Sequence, residues 1–377
     1  MLKIFQQLKS AGAPAIGSLC SLVLVACSQF GPANPQSRLM AALQPDHSDS
    51  LKLNLSDRVA QAPSKNIVPQ FDSASDFSEG LAMVGFEQTY GFINKAGKVV
   101  VKPSVFVNGM SSFSEGRAVV RVGSGYTFID QKGQPLTETQ YDEIARFSNG
   151  LAAVRVNHQY GYIDKAGNLV IKPQFMLGSA FSEGLAAVKV AGKYGYIDPK
   201  GQMAIAPQYD DSWSFSEGLA VIRMGKKWGY LDKTSKIAIN PQFDGAFRFS
   251  ESLARVRMGD QWGYVDRQGA IAIRPQFSFA SDFSQGLAAV QINDKWTYIY
   301  KSGKPIGDRQ FDFASDFSEG FAAVQINGKW GYINKSGKLL VPAIFDNAGR
   351  FSEGLARVQA GDKWGYISQP TEKTSAS

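Results

Sequence analysis

The sequence is poor in the side chains that most often carry chemistry. Its 377 residues include only two cysteines, Cys20 and Cys27, and two histidines, His47 and His158. A zinc site built from several Cys and His ligands has no material here, and neither does a disulfide framework. No nucleophile elbow, phosphate-binding loop or pair of metal ligands is present. His158 falls in the turn Val156-Asn157-His158-Gln159 and His47 in a polar stretch, so both read as solvated loop residues. No catalytic residue, cofactor or metal is expected, and the chain is read as not an enzyme. Helical periodicity is also missing from every twelve-residue window of the body, which leaves strands. The excess of 40 Lys+Arg over 33 Asp+Glu is mild. It permits an anionic partner without demanding one.

What is present begins with a segment that reads as an export signal. Lys3 and Lys9 precede a short apolar stretch that ends in Leu22-Val23-Leu24-Val25-Ala26-Cys27. A charged start, a short apolar run and a small residue at the end describe a secretory signal. Gly12, Pro14 and Gly17 interrupt the stretch too often for a membrane-spanning helix. Leu24-Val25-Ala26-Cys27 resembles a bacterial lipobox, which implies cleavage before Cys27 and acylation of its thiol and new amino group. Several acyl chains anchor a protein firmly where one does not. In that resemblance Ser28, rather than Asp, after the cysteine implies the outer membrane. Residues 1–26 are thus expected to be a lipoprotein signal peptide, and 27–65 a flexible tether rich in Ser, Pro, Gln and Asp.

The rest of the chain repeats itself. Phe-Ser-Glu-Gly-Leu-Ala, with small variations, places its Phe at positions 77, 113, 147, 181, 215, 249, 283, 317 and 351. An aromatic stands thirteen residues after each Phe, from Tyr90 to Trp364, and Gly follows it in seven of the nine copies. Within the fourth copy, Leu185–Val190 and Tyr194–Asp198 flank a short turn and read as a hairpin. Met203–Tyr209 reads as a third strand, and Pro207 suits it to a sheet edge. The residue five after the Phe is Ala in all nine copies, so something approaches closely there. The Ser after the Phe never varies and is expected to satisfy a turn amide. The next position is Glu in seven copies but Asn149 and Gln285 in two. An acceptor tolerates that exchange and a catalytic carboxylate does not, so the column reads as structural.

Runs such as Trp330-Gly331-Tyr332-Ile333-Asn334-Lys335-Ser336-Gly337-Lys338, together with Phe-Ser-Glu-Gly-Leu-Ala, resemble the bacterial WG (KWG) repeat family. The resemblance spans residues 67 to 367. It implies a secreted or surface β-repeat protein, mostly without a defined activity. Thr127 and Thr297 replace the motif glycine and mark the second and seventh copies as locally different. The expected organisation is the signal 1–26, the tether 27–65, nine β repeats over 66–368, and a disordered tail 369–377.

The array starts on the third segment of a unit, Ile67–Asp72, and ends on the second, Trp364–Ile367. That offset suits a closed β-propeller whose last blade is completed from both ends. Nine units of three segments fall outside the usual propeller range, however, and favour an all-β open superhelical solenoid.

One column stands out for binding. Eight residues after the Phe come Gly85, Arg121, Arg155, Lys189, Arg223, Arg257, Gln291, Gln325 and Gln359. Arg121, Arg155, Lys189, Arg223 and Arg257 would form a ladder for an anionic polymer such as a cell-wall glycan or lipopolysaccharide. A solvated strand face is the plainer reading of the same charges. The expected function is a non-enzymatic, membrane-anchored envelope lipoprotein that binds an anionic polymer or glycan, with no nucleic acid partner. The alternative is a scaffold for envelope proteins.

Overall fold

A computed structural model describes residues 66–104 and 111–370. The signal, the tether with Cys27 and His47, and most of the expected tail lie outside the described residues. Among the described residues every regular element is a strand, and no helix is long and apolar enough to cross a membrane.

The units are numbered one to nine, and positions are counted from the Phe of each. In unit four, strands Leu177–Gly178, Ala186–Val190, Lys193–Ile197 and Met203–Tyr209 lie side by side, antiparallel, in chain order. Seven sheets have four strands. The extra strand, at positions −4 and −3, is two residues long in most units and too short to leave a periodic signal. The third segment is an edge strand, as its proline requires.

Ser182-Glu183-Gly184-Leu185 closes the turn before the long hairpin. Ser182 and Leu185 exchange backbone hydrogen bonds, and the two central residues have φ of 52° and 85°. This is the two-residue hairpin turn whose backbone matches strand twist, with glycine placed at the second central position.

Both faces of each sheet are buried. Ala186 and Val188 pack into a cluster with Phe181 and Leu151, whereas Ala187 and Tyr196 pack into another with Phe215 and Ala220. Each sheet is therefore covered on both faces by its neighbours. The core is nine such clusters, one at each interface between consecutive units. The Ala column sits in these seams with at most 1% exposure, which accounts for its uniform size.

The ninth seam joins the two ends of the array. Strand Ile67–Phe71 pairs with Lys363–Ser368, in register Ile67 to Tyr366 and Phe71 to Trp364, and completes the sheet of unit nine. Ile67, Phe71, Phe77 and Ala82 share a cluster with Leu355 and Tyr366. Each sheet keeps two free edges, but the circuit of sheets is closed. The all-β, nine-unit class stands, and of its two arrangements the structure takes the ring rather than the favoured open stack. The two-residue strand gives most units a fourth strand beyond the three segments read from the sequence.

A chain beginning at residue 73 loses Ile67 and Phe71 from the seam. Each large buried side chain is worth roughly 2–5 kcal/mol, so its melting temperature should fall by about 10 °C or more against a chain beginning at residue 66. A change of only one or two degrees in calorimetry would instead indicate an open array.

Candidate binding surface

The invariant columns are consumed by the seams. Each Ser at +1 donates its hydroxyl to the Phe carbonyl of the next unit at 2.7–2.8 Å, from Ser78 to Phe113 through Ser318 to Phe351. Ser352 completes the circuit by donating to Phe77. The serine thus bonds a carbonyl across the seam, not the turn amide expected of it. At +2 the side-chain oxygen accepts the amide three residues into the next unit's turn, as Glu115 does from Gly150 and Glu353 from Gly80. Asn149 and Gln285 do the same for Gly184 and Gly320. The acceptor reading of this column is therefore met by the amides as well as the carboxylates. All nine +2 residues are held at φ of 52–56°, a conformation that side chains other than glycine enter at a cost.

Tyrosines at +15 add a third tie. Seven of them, including Tyr196, Tyr230 and Tyr366, donate to the carbonyl at −2 of the next unit at 2.6–2.9 Å. Burial pushes their phenols well above the usual range. Phe92 and Phe128 occupy the position in units one and two. Lysines at +12 pair with the aspartate at −5 of the next unit: Lys193 with Asp210, Lys227 with Asp244, Lys295 with Asp312, Lys329 with Asp346 and Lys363 with Asp72. Where the lysine is Gln159 or Gln261, the aspartate is Met176 or Ser278.

With these columns assigned, positions −4, +8 and +13 line up in one cross-strand row at the hairpin-turn end, −4 and +8 varying and +13 always Tyr or Trp. The five ladder residues all lie in it, on consecutive units, and all are half-buried. Arg121 lies 6.0 Å from the Tyr126 ring centre, Lys189 5.2 Å from Tyr194 and Arg223 5.6 Å from Trp228. Arg155 pairs with Glu143 and meets His158 Nδ1 at 3.1 Å. Arg223 donates to the Gly225 carbonyl at 2.9 Å and faces Asp211 at 3.9 Å. Burial pushes the Asp211 carboxyl up despite that arginine. Arg257 donates to the carbonyls of Gly259 and Asp244, both at 3.1 Å. The cations form a row, but each is braced against its own sheet. His158 itself is exposed in its turn, at φ 63°.

The row continues as an aromatic arc that the +13 column alone did not reveal. Trp213, Phe247, Trp262, Phe279, Trp296, Phe313 and Trp330 follow one another across units five to eight with ring centres 4.9–6.3 Å apart. Arg255 is inserted among them, 3.6 Å from the Phe247 ring centre, with its Nε 2.8 Å from Asp282. The signal lay in three columns read together, −4, −2 and +13. Position −4 faces +8 across the sheet, as Glu143 faces Arg155 and Phe279 faces Gln291.

Units two and seven depart where the motif glycine is threonine. A Cβ at Gly263 would stand 2.5 Å from the Ile273 carbonyl oxygen, so the third strand passes only over glycine. With Thr127 and Thr297 that strand is lost. Two isolated bridges replace it in each unit, Tyr126–Tyr141 and Ile129–Pro135 in one, Trp296–Phe311 and Ile299–Pro305 in the other.

A nine-fold match places the repeats in a known class. The profile of the WG containing repeat matches nine consecutive segments between residues 65 and 364. The chain belongs to that family of tandem β repeats. No curated protein matches it. Among solved structures, one titled as the crystal structure of the eukaryotic initiation factor is similar over 72% of this chain and 87% of its own, at 10% identity and a TM-score of 0.54. That is a likeness of fold alone. Hsv2 of Kluyveromyces lactis (10% identity, 71% of this chain, 98% of its own, TM-score 0.39) and apo AztD of Citrobacter koseri (12%, 67%, 90%, 0.41) are more distant.

The seams carry a pH dependence. Burial alone would push the carboxyls of Glu115, Glu183 and Glu353 up, but Lys165, Lys233 and Lys95 and the turn amides outweigh it and hold them below 4.5. A carboxyl depressed on folding stabilises above its unfolded value and loses that contribution as pH falls through the folded one. The melting temperature should drop as pH falls below 4.5, and changing the three to Gln should flatten the slope while leaving the pH 7 fold intact. An unchanged slope would refute this role for the three carboxylates.

Proposed function

We propose that the ring is a non-enzymatic binding module for an anionic envelope polymer or glycan, carried by Arg121, Arg155, Lys189, Arg223 and Arg257. The observation behind this reading is their common register on five consecutive sheets. Aromatic rings and backbone carbonyls hold these side chains in place, so little rotamer freedom is lost on binding. An extended polyanion would meet several charges at once, where any one exposed charge contributes little. Pairing of Arg155 and Arg223 with Glu143 and Asp211 restrains the field, which suits a weak ligand of repeated charge.

The lipobox resemblance supports a lipid anchor at Cys27 and an address at the outer membrane of a bacterial envelope. Cys27→Ala should then release the protein from membrane fractions, and a variant that sediments with membranes like the parent contradicts the anchor. A scaffold for envelope proteins is the second reading, favoured by the exposed rings of the aromatic arc.

Replacing all five cations by Gln extends the Gln291, Gln325, Gln359 pattern that the ring already holds. Binding to purified lipopolysaccharide or peptidoglycan should weaken by about tenfold or more at low salt and lose most of its salt dependence. If the variant melts with the parent and binds as tightly, the row is only a solvated face.

A further inference from the structure

We propose that the exposed rings of Phe279 and Phe313, with Trp262, Trp296 and Trp330 around them, form a separate site for an uncharged polysaccharide. Phe279 and Phe313 are 41% and 44% exposed, the two exposed phenylalanines among the described residues. Both occupy position −4, which is Ser, Gly, Glu, Leu, Asp or Asn in other units. Trp296 lies between them, 5.3 Å from one ring centre and 5.2 Å from the other, and is almost fully buried. It sets their spacing to no more than about the length of a disaccharide. Trp262 and Trp330 extend the platform at either end, 6.3 and 5.6 Å away.

The neighbouring polar groups select the ligand. Phe279 faces Gln291 and Phe313 faces Gln325 across their sheets. The +8 cations stop at Arg257 in unit six, and the −4 acids at Asp211 in unit five. The charges nearest the hairpin tips neutralise one another, Lys295 with Asp312 and Lys329 with Asp346. Arg255 is already committed to Asp282 and the Ala280 carbonyl. In units seven and eight the row itself holds no charge, and the charge left outside these pairs at the hairpin tips is the exposed Asp294, which disfavours an anion. A pyranose with equatorial hydroxyls presents an apolar C–H face to a ring and hydroxyls at its rim to an amide. Phe279 and Phe313, tilted by 60° and 46° to the Trp296 between them, each offer a separate exposed ring with a glutamine beside it, the apolar surface and fixed polar group such a ligand requires. The Phe–Gln pair occurs twice, one sheet apart, which fits a ligand that itself repeats.

This site uses other residues than the cation row, so either can fail alone. The probes are cellohexaose and chitohexaose, followed by tryptophan emission and calorimetry on the whole protein. The expected result is a saturable emission change, insensitive to salt, that persists when the five cations are changed to Gln. Phe279→Ala with Phe313→Ala should weaken it by about tenfold, and Phe279→Tyr with Phe313→Tyr should restore it. No saturable change with either oligosaccharide, or equal binding by a normally melting double alanine variant, would overturn the proposal. Binding that collapses with added salt would overturn it too.

Discussion

A serine hydroxyl that reaches across to the next unit's carbonyl is the contact on which the ring depends. It joins the turn of one sheet to the backbone of the next, and it recurs nine times without exception. Because the bond runs in one direction, each unit donates forward and accepts from behind. A linear array would leave one donor and one acceptor unused at its ends. Ser352 and Phe77 remove that loss by meeting each other, so the seam between the termini is made like every other seam. The glutamate or amide beside each serine holds a strained backbone, and its bond to the neighbour's turn offsets that cost.

With the seams this demanding, little freedom is left for chemistry in the repeated columns. Freedom survives in the cross-strand row near the hairpin tips, where the nine units differ. Five units there are cationic, beside tyrosine in three and tryptophan in two, and units seven and eight are aromatic with glutamine. The same scaffold thus presents two surfaces of different character on one end. No pocket is needed for this, only nine sheets in a common register.

Much of this was legible in the chain. Periodicity and alternation identify nine β units. The exchange of Glu for Asn149 and Gln285 identifies an acceptor, since the amides keep the one atom that matters. The lysine and aspartate seventeen residues apart vary together in most units, Gly125 with Asp142 being an exception, and mark a contact between units. The offset between the first and last segments allowed closure, but the choice of ring over open stack depends on how much each sheet turns relative to the last, which no residue type encodes. The two-residue strand leaves no pattern, and the serine's partner lies 33 residues on in most units, beyond any local motif. The aromatic arc was hidden because Trp213 and Phe247 stand at −2 while Phe279 and Phe313 stand at −4. Geometry, not sequence spacing, brings them into one line.

Closure also decides where the ring is mechanically weakest. Strand Ile67–Phe71 has only one partner strand in its sheet, and the chain enters the ring directly before it. Tension arriving through residue 65 loads Asn66 and its contact with Ser368 first, then Ile67 opposite Tyr366. The pairs are strained one after another rather than all together, as in opening a zipper. A pull on the chain preceding residue 66 therefore peels this strand before it disturbs any complete sheet, and the eight other seams are reached only after the circuit has been broken at its own junction.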